Sequence, residues 1–317
     1  MGNSCTCIGE KSQLAFNEDI EIVSEVSENE EKQEKILGEI NQSYDENSNK
    51  LQAIISSNPK VQMVETRLEP FKLLTEDDLR DFKSLRNDEE GWTYIGDFDE
   101  NKERSGLGIL VWKDGSKYTG HWKHNKANGY GRLIHSDGDV YEGDWINDKA
   151  NGKGKYIHFD GTTYDGDWKE DKQDGFGEER WNDGSYYRGY YKDGLKNGFG
   201  EFHWSENTVY RGDFVNNCIE GKGIYKWEDG RVFNGEWKNN KMHGYGKFIW
   251  PDGRVYIGDY VNDKKEGQGQ FKWPSGKKYK GNWKNGKQHG HGIFVDNNGF
   301  VYEGEWKNGK RIKLSNK

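Results

Sequence analysis

The residues Tyr141-Glu142-Gly143-Asp144-Trp145 alternate ring, carboxylate, glycine, carboxylate, ring. In an extended strand that alternation puts both rings and the glycine on one face and both carboxylates on the other. A second kind of stretch obeys the same parity: in Gly244-Tyr245-Gly246-Lys247-Phe248-Ile249-Trp250, the two glycines, Phe248 and Trp250 share a face. Two such strands make one unit, seen whole from Phe233 to Gly253, and the unit recurs. Its leading rings are Tyr118, Tyr141, Tyr164, Tyr187, Tyr210, Phe233, Tyr256, Tyr279 and Tyr302, each 23 residues after the last. Tyr94 opens an earlier copy with one extra residue, and the copy opened by Tyr302 stops after its first strand. The periodicity therefore predicts nine repeats and a partial tenth over residues 91–317.

Asp-Gly closes most copies, at Gly115, Gly138, Gly161, Gly184, Gly230 and Gly253, and predicts a tight reversal there. The other connection, such as Lys238 to His243, reads as longer, polar and variable. Strand, loop, strand and turn, repeated without helices, predict an all-β fold: an elongated, twisted, single-layer antiparallel β-meander of stacked hairpins. About 19 strands at 4.7–4.9 Å each would span roughly 90 Å. A strand glycine is weak alone, but a neighbouring ring can lie flat over it. Rings that bury 150–250 Å² apiece can hold together a chain that is only 31% hydrophobic.

Ahead of the array, Val61, Val64 and Leu68 lie at helical spacing before Pro70, and Leu79, Phe82 and Leu85 repeat the stripe after it. Thr75 with Asp78 three residues later marks a helix start, so a helix is expected from about Glu76 to Arg86. Residues 59–90 thus read as a short helical segment that caps the open sheet edge of the first repeat, with a partner-binding helix as the alternative.

Composition separates the array from what precedes it. Residues 1–90 hold three of the 43 glycines and none of the 13 tryptophans. They carry 10 Lys and Arg against 21 Asp and Glu, a net of −11, and leave the array at +3. Residues 9–58 accordingly read as an acidic, disordered tether. An acidic tail on a near-neutral body argues against nucleic acid as a partner, which demands a concentrated cationic face. Three cysteines imply no disulfide framework and suit a reducing compartment. No apolar run approaches a membrane span, and no secretory signal is seen.

The first eight residues carry a lipidation signal. Met1-Gly2-Asn3-Ser4-Cys5-Thr6-Cys7 fits N-myristoylation of Gly2, and Cys5 and Cys7 offer thiols for a second acyl chain, which makes membrane residence stable. No basic cluster follows. Catalytic chemistry is not visible, and no cofactor or metal is expected: the eight histidines are scattered, and pairs such as Gly152 and Gly154 precede no helix. The aromatic set Tyr118, Trp122, Tyr141, Trp145, Tyr164 and Trp168 is required for packing. Its ring edges are also the candidates for a groove that takes a partner's helix or extended segment.

The pattern Tyr-x-Gly-x-Trp, then Gly-x-Gly, then a closing Gly at a 23-residue period resembles the MORN (membrane occupation and recognition nexus) repeat, over residues 94 to about 310. The departures are Phe233 for the leading Tyr, Phe98, Tyr191, Phe214 and Tyr260 for Trp, and Asn207 for the closing Gly. The resemblance implies hairpins stacked into a curved sheet, and scaffolds that organise assemblies near membranes or in the cytoskeleton and cilia. Some relatives add a lipid kinase or methyltransferase domain, for which these residues leave no room. The resulting expectation is a non-enzymatic scaffold on the cytoplasmic face of a plasma or ciliary membrane, held by its acyl chains and binding protein partners. Two alternatives stand beside it, a module that binds acidic phospholipid headgroups and a structural subunit of a ciliary or cytoskeletal complex. An unpaired last strand would also invite a homodimer.

Overall fold

The computed structural model describes residues 52–71, 84–87 and 91–312. They fall into two compact units that divide after Lys172. In the first, β1 (Ser84–Asn87), β2 (Thr93–Phe98), β3 (Arg104–Val111), β4 (Lys117–Lys123), β5 (Lys126–Ile134), β6 (Val140–Ile146), β7 (Lys149–Ile157) and β8 (Thr163–Lys169) form an antiparallel meander, each strand paired with the next. The second unit repeats the scheme from β9 (Lys172–Arg180) through β10 (Tyr186–Lys192), β11 (Leu195–His203), β12 (Val209–Val215), β13 (Cys218–Lys226) and β14 (Val232–Lys238). It continues with β15 (Lys241–Ile249), β16 (Val255–Val261), β17 (Lys264–Lys272), β18 (Lys278–Lys284), β19 (Lys287–Val295), β20 (Val301–Lys307) and β21 (Lys310–Ile312). The tenth copy does not stop after one strand as expected, because Lys310–Ile312 turn back and pair with β20.

The connection expected to be long is the tight one. At Asn239-Asn240 both residues have positive φ, 49° and 62°, the two-residue turn whose twist suits a hairpin and which Asn tolerates. Length reappears as a bulge: Gly235 pairs with Gly246 but Trp237 with Met242, so β15 carries two extra residues. The same bulge in β13, where Gly212 pairs with Gly223 but Phe214 with Ile219, leaves the Ile219 amide without a ladder partner. Asn240 of the next repeat supplies one, its side chain accepting from Ile219 N at 2.7 Å while its own amide donates to Ile219 O at 3.0 Å. Ala127 with Asp148, Ala150 with Asp171 and Lys196 with Asn217 repeat this clamp.

The Asp-Gly reversal is wider, with Gly115 N donating to Trp112 O and Trp112 N to Ser116 O. Asn207 replaces its glycine at φ 58°, a left-handed conformation that Asn also reaches.

One helix, α1 (Pro59–Arg67), is described ahead of the array, capped by the Asn58 side chain accepting from Lys60 N at 2.9 Å. It covers a face and not the edge: Val61 and Val64 are buried against Ile134 and Val140. The edge of β2 is taken by β1, which corrects the helix expected to reach Arg86. Ser84–Asn87 satisfy the open amides and carbonyls of β2 directly, a demand that outweighs helical propensity. The remainder of that expected helix, residues 9–51 of the acidic tether and the lipidation signal lie outside the described residues, whereas Ile54 and Ser56 at the tether's end are buried against the sheet, a correction to the disorder expected there.

Candidate interaction surface

The aromatic face is built from one geometry repeated. Tyr118 lies over the glycine two residues ahead and over the glycine opposite it, so a Cβ at Gly131 would sit 2.2 Å from the Tyr118 hydroxyl and 2.5 Å from Cζ. The hydroxyl donates to His121 O at 3.0 Å, and Tyr141 and Tyr164 bond Asp144 O and Asp167 O likewise. Burial pushes the phenols of Tyr118 and Tyr141 far up, so they stay protonated donors. Trp145 crosses back over the previous hairpin, its Nε1 donating to Gly131 O at 3.0 Å. Trp122 and Trp168 do the same to Gly108 O and Gly154 O.

Tyr118 and Tyr141 each meet two Trp edges. Tyr118 contacts Trp122 and Trp145 at centroid distances of 4.9 and 5.4 Å, near perpendicular, and Tyr141 contacts Trp145 and Trp168 alike. Five of the six rings proposed for partner contact are thereby buried, and Trp168 is partly so. They meet one another in the core of the first unit.

Where Trp is replaced, the bond to the preceding carbonyl goes. Tyr191 bonds Glu179 instead, while the buried Tyr260 hydroxyl has no partner among the described residues. The clamped position of the bulge also faces these rings. Lys196 places Nζ 4.9–5.6 Å from Trp181, Tyr187 and Tyr191 and 2.7 Å from Glu179. Lys265, set among Trp250, Tyr256, Phe271 and Trp283 at 4.8–5.3 Å, is drawn down to about 8, chiefly by burial and then by the Arg254 charge.

The opposite face differs between the units. In the first, residues 52–71 cover it. Ile54 packs on Ile95, Ile109 and Val111, the buried Ser56 hydroxyl donates to Gly115 O at 2.6 Å, and Lys117 pairs with Glu65 at 2.7 Å. The cover ends on Phe71, stacked on Tyr130 at 5.9 Å with Arg132 across it at 5.1 Å, while Arg132 Nη1 donates to Glu69 O. Tyr130 is the middle residue of a Gly-x-Gly.

In the second unit the same position holds Phe176, Phe199 and Tyr245, which are 38%, 49% and 58% exposed, with Tyr190 at 51% beside the first two. Phe176 meets Tyr190 edge-on at 5.4 Å, and Arg188 and Arg211 lie 5.6 Å from Phe176 and Phe199. This exposed cluster was not anticipated. Its signal was present as aromatic residues at the one strand position where other repeats place Lys153, Lys222 or Gln268.

Among the described residues, Asp99, Glu103 and His124 bring donor atoms within 4.8 Å of one another. Hydrogen bonds account for them: Glu103 lies 3.1 Å from His124 Nδ1, and Asp99 accepts the amides of Asn101 and Glu103. No helix among the described residues is long and apolar enough to cross a membrane.

Comparison with known proteins gives one family. The MORN repeat model matches ten consecutive stretches, residues 94–117, 118–140, 141–163, 164–186, 187–209, 210–230, 233–253, 256–278, 279–301 and 302–311. No curated protein matches the chain. Among solved structures, the TCP10 domain of Danio rerio CPAP in complex with a peptide of Danio rerio STIL is 13% identical with a TM-score of 0.37, over 67% of this chain and 99% of that one. The SAS-4 (dCPAP) TCP domain of Drosophila melanogaster, in complex with a proline-rich motif of Ana2 (dSTIL), is 14% identical with a TM-score of 0.32, over 56% and 89%. TM-scores this low carry no functional inference.

Proposed function

The chain belongs to the MORN repeat family, and on that premise we propose that it is a non-enzymatic scaffold at the cytoplasmic face of a membrane. Its array presents a sheet face to protein partners, and an acylated N-terminus anchors it. One contrast carries the partner reading. The ring at Tyr130, itself 40% exposed, has the chain's own Phe71 stacked on it, whereas Phe176, Tyr190 and Phe199, 38–51% exposed, cluster around the equivalent position with arginines beside them. Exposed clusters of large apolar side chains are where soluble proteins meet partners. Gly-x-Gly pairs, the motif closest to a nucleotide loop, are accounted for by positive φ at the first glycine, as at Gly129 and Gly152, and by a ring lying over the second, as Tyr118 over Gly131 and Tyr141 over Gly154.

The anchor is read from Gly2, Cys5 and Cys7, since one myristoyl chain binds a bilayer marginally and a second stabilises it. Two variants of the full chain test the two halves. Gly2→Ala should move the protein from membrane to soluble fractions, and unchanged fractionation would refute the anchor. Phe176→Ser with Phe199→Ser should lose co-purifying proteins while the array stays folded, and full retention of them would refute the partner face.

A further inference from the structure

We propose that one hairpin end of the second unit, at the turns after β14, β16, β18 and β20, is a rail that binds an acidic polypeptide segment of a partner. This rests on the scaffold reading and adds the place and the charge of what is held.

At these turns Lys238 faces Lys241, Lys284 faces Lys287 and Lys307 faces Lys310 across the ladder, and Lys264 opens β17 between them. All seven are exposed, and among the described residues none forms an ion pair. Like charges directly opposite one another destabilise a sheet, so the second unit carries these three pairs against its own stability.

The first unit holds one such pair, Lys123 facing Lys126, with His124 between them set against Glu103; at its next turn Lys149 faces Ile146 and pairs with Glu170, and Asp148 and Asp171 occupy the second turn position. In the second unit those places are Asn239-Asn240, Asn262-Asp263, Asn285-Gly286 and Asn308-Gly309. Positive φ at each admits Asn, Asp or Gly, so backbone geometry leaves the charge free to vary. The carboxylates nearest the rail are engaged by amides: Glu220 accepts from Asn239, Asp263 from Met242 and Glu266 from Asn285.

Successive turns lie two strands apart, roughly 9.5 Å, so four turns span roughly 29 Å. An extended polypeptide covers that distance in about nine residues and meets each turn with about every third residue. A single row of charge at this spacing fits a linear chain, whereas a membrane engages a broad face. The chain itself carries a segment of the required chemistry: Glu18 to Glu31 holds seven carboxylates and no cation. It is the natural probe.

The experiment adds a heavy-isotope peptide of residues 18–31 to the full chain, joins contacting carboxylates and amines with a zero-length carbodiimide, and maps the bonds by mass spectrometry. Expected are bonds from this segment, added or native, on Lys238, Lys241, Lys284 and Lys287 at about tenfold the yield on Lys123, Lys126 and Lys149. They should be lost at high salt, where screening shortens to about 3 Å. Lys238→Gln with Lys284→Gln should abolish them and, by removing like-charge pairs, raise the unfolding midpoint.

Even labelling of all lysines, or yields unchanged by salt and substitution, would overturn the proposal. So would phosphatidylserine vesicles that bind through these lysines while the peptide does not. Because the probe needs no cellular partner, even labelling would leave the scaffold reading standing, and loss of the scaffold reading would leave the rail measurable.

Discussion

Gly131→Ala isolates the packing argument, because at this position a methyl group has nowhere to go. Gly131 lies in an extended strand, outside the glycines of positive φ, so alanine brings no backbone strain. Its Cβ would lie 2.2–2.7 Å from three atoms of the Tyr118 ring, which is 1% exposed and held edge-on by two tryptophans. Forcing the ring aside costs about 1–3 kcal/mol as overpacking, and losing its hydroxyl bond to His121 adds about 1, for a total of about 2–4 kcal/mol. Gly184→Ala is the matched control, with φ at 84° and nothing within 4 Å; conformational strain alone should cost about 1–2 kcal/mol. The assay is urea unfolding followed by tryptophan fluorescence. On a Tyr118→Ala background the Gly131→Ala penalty should vanish or reverse by about 0.5 kcal/mol, since alanine is better than glycine in a strand without a ring above it. The Gly184 penalty should not change. An equal Gly131→Ala penalty with and without the Tyr118 ring would refute the reasoning.

Three further outcomes follow from named contacts. Trp145→Phe should cost about 1–2 kcal/mol by leaving Gly131 O without its donor, whereas Tyr260→Phe, which removes a hydroxyl without a partner, should be neutral or stabilising by up to about 1 kcal/mol in the same unfolding assay. Asn240→Gly keeps the turn but strands the buried Ile219 amide, for about 1 kcal/mol; Asn240→Ala adds strain at φ 62° and should cost about 2–3; Asn240→Asp should be tolerated, and calorimetry ranks the three. Tyr130 and Tyr279 are raised to about 12, chiefly by burial. The folded state thus favours their neutral form, and that stability is complete below an unfolded pKa of about 10 and disappears as pH rises through 12; alkaline titration of tyrosinate absorbance should show these rings ionising late and together with loss of structure.

The repeat was legible because it is written in periodic, strongly constrained residues. Alternating rings and glycines fix the strands and their faces, and the register confirms that Tyr118 and Gly120 sit opposite Leu133 and Gly131. The turns were harder. Asn239-Asn240 carries no Asn-Gly signal, though Asn285-Gly286 and Asn308-Gly309 do at the same turn, and the bulge that follows looks like extra loop in a linear reading. The inter-repeat clamp was invisible because its partners, such as Ile219 and Asn240, lie 21 residues apart. The β1 pairing was missed because Leu79, Phe82 and Leu85 are spaced like a helix while the open edge of β2 sets a stronger demand. The covered face could have been seen in Ile109, Val111, Ile134, Val140 and Ile157, the outward apolar positions on which residues 52–71 lie.

The central claim is that the exposed cluster of the second unit holds protein partners. The decisive measurement is quantitative co-purification from native cells with the full chain and with a Phe176→Ser, Tyr190→Ser, Phe199→Ser variant whose unfolding midpoint matches the parent. The account predicts that the partners recovered with the parent fall at least about tenfold with the variant, a loss of about 1.4 kcal/mol or more of binding. Equal recovery from a folded variant would contradict it.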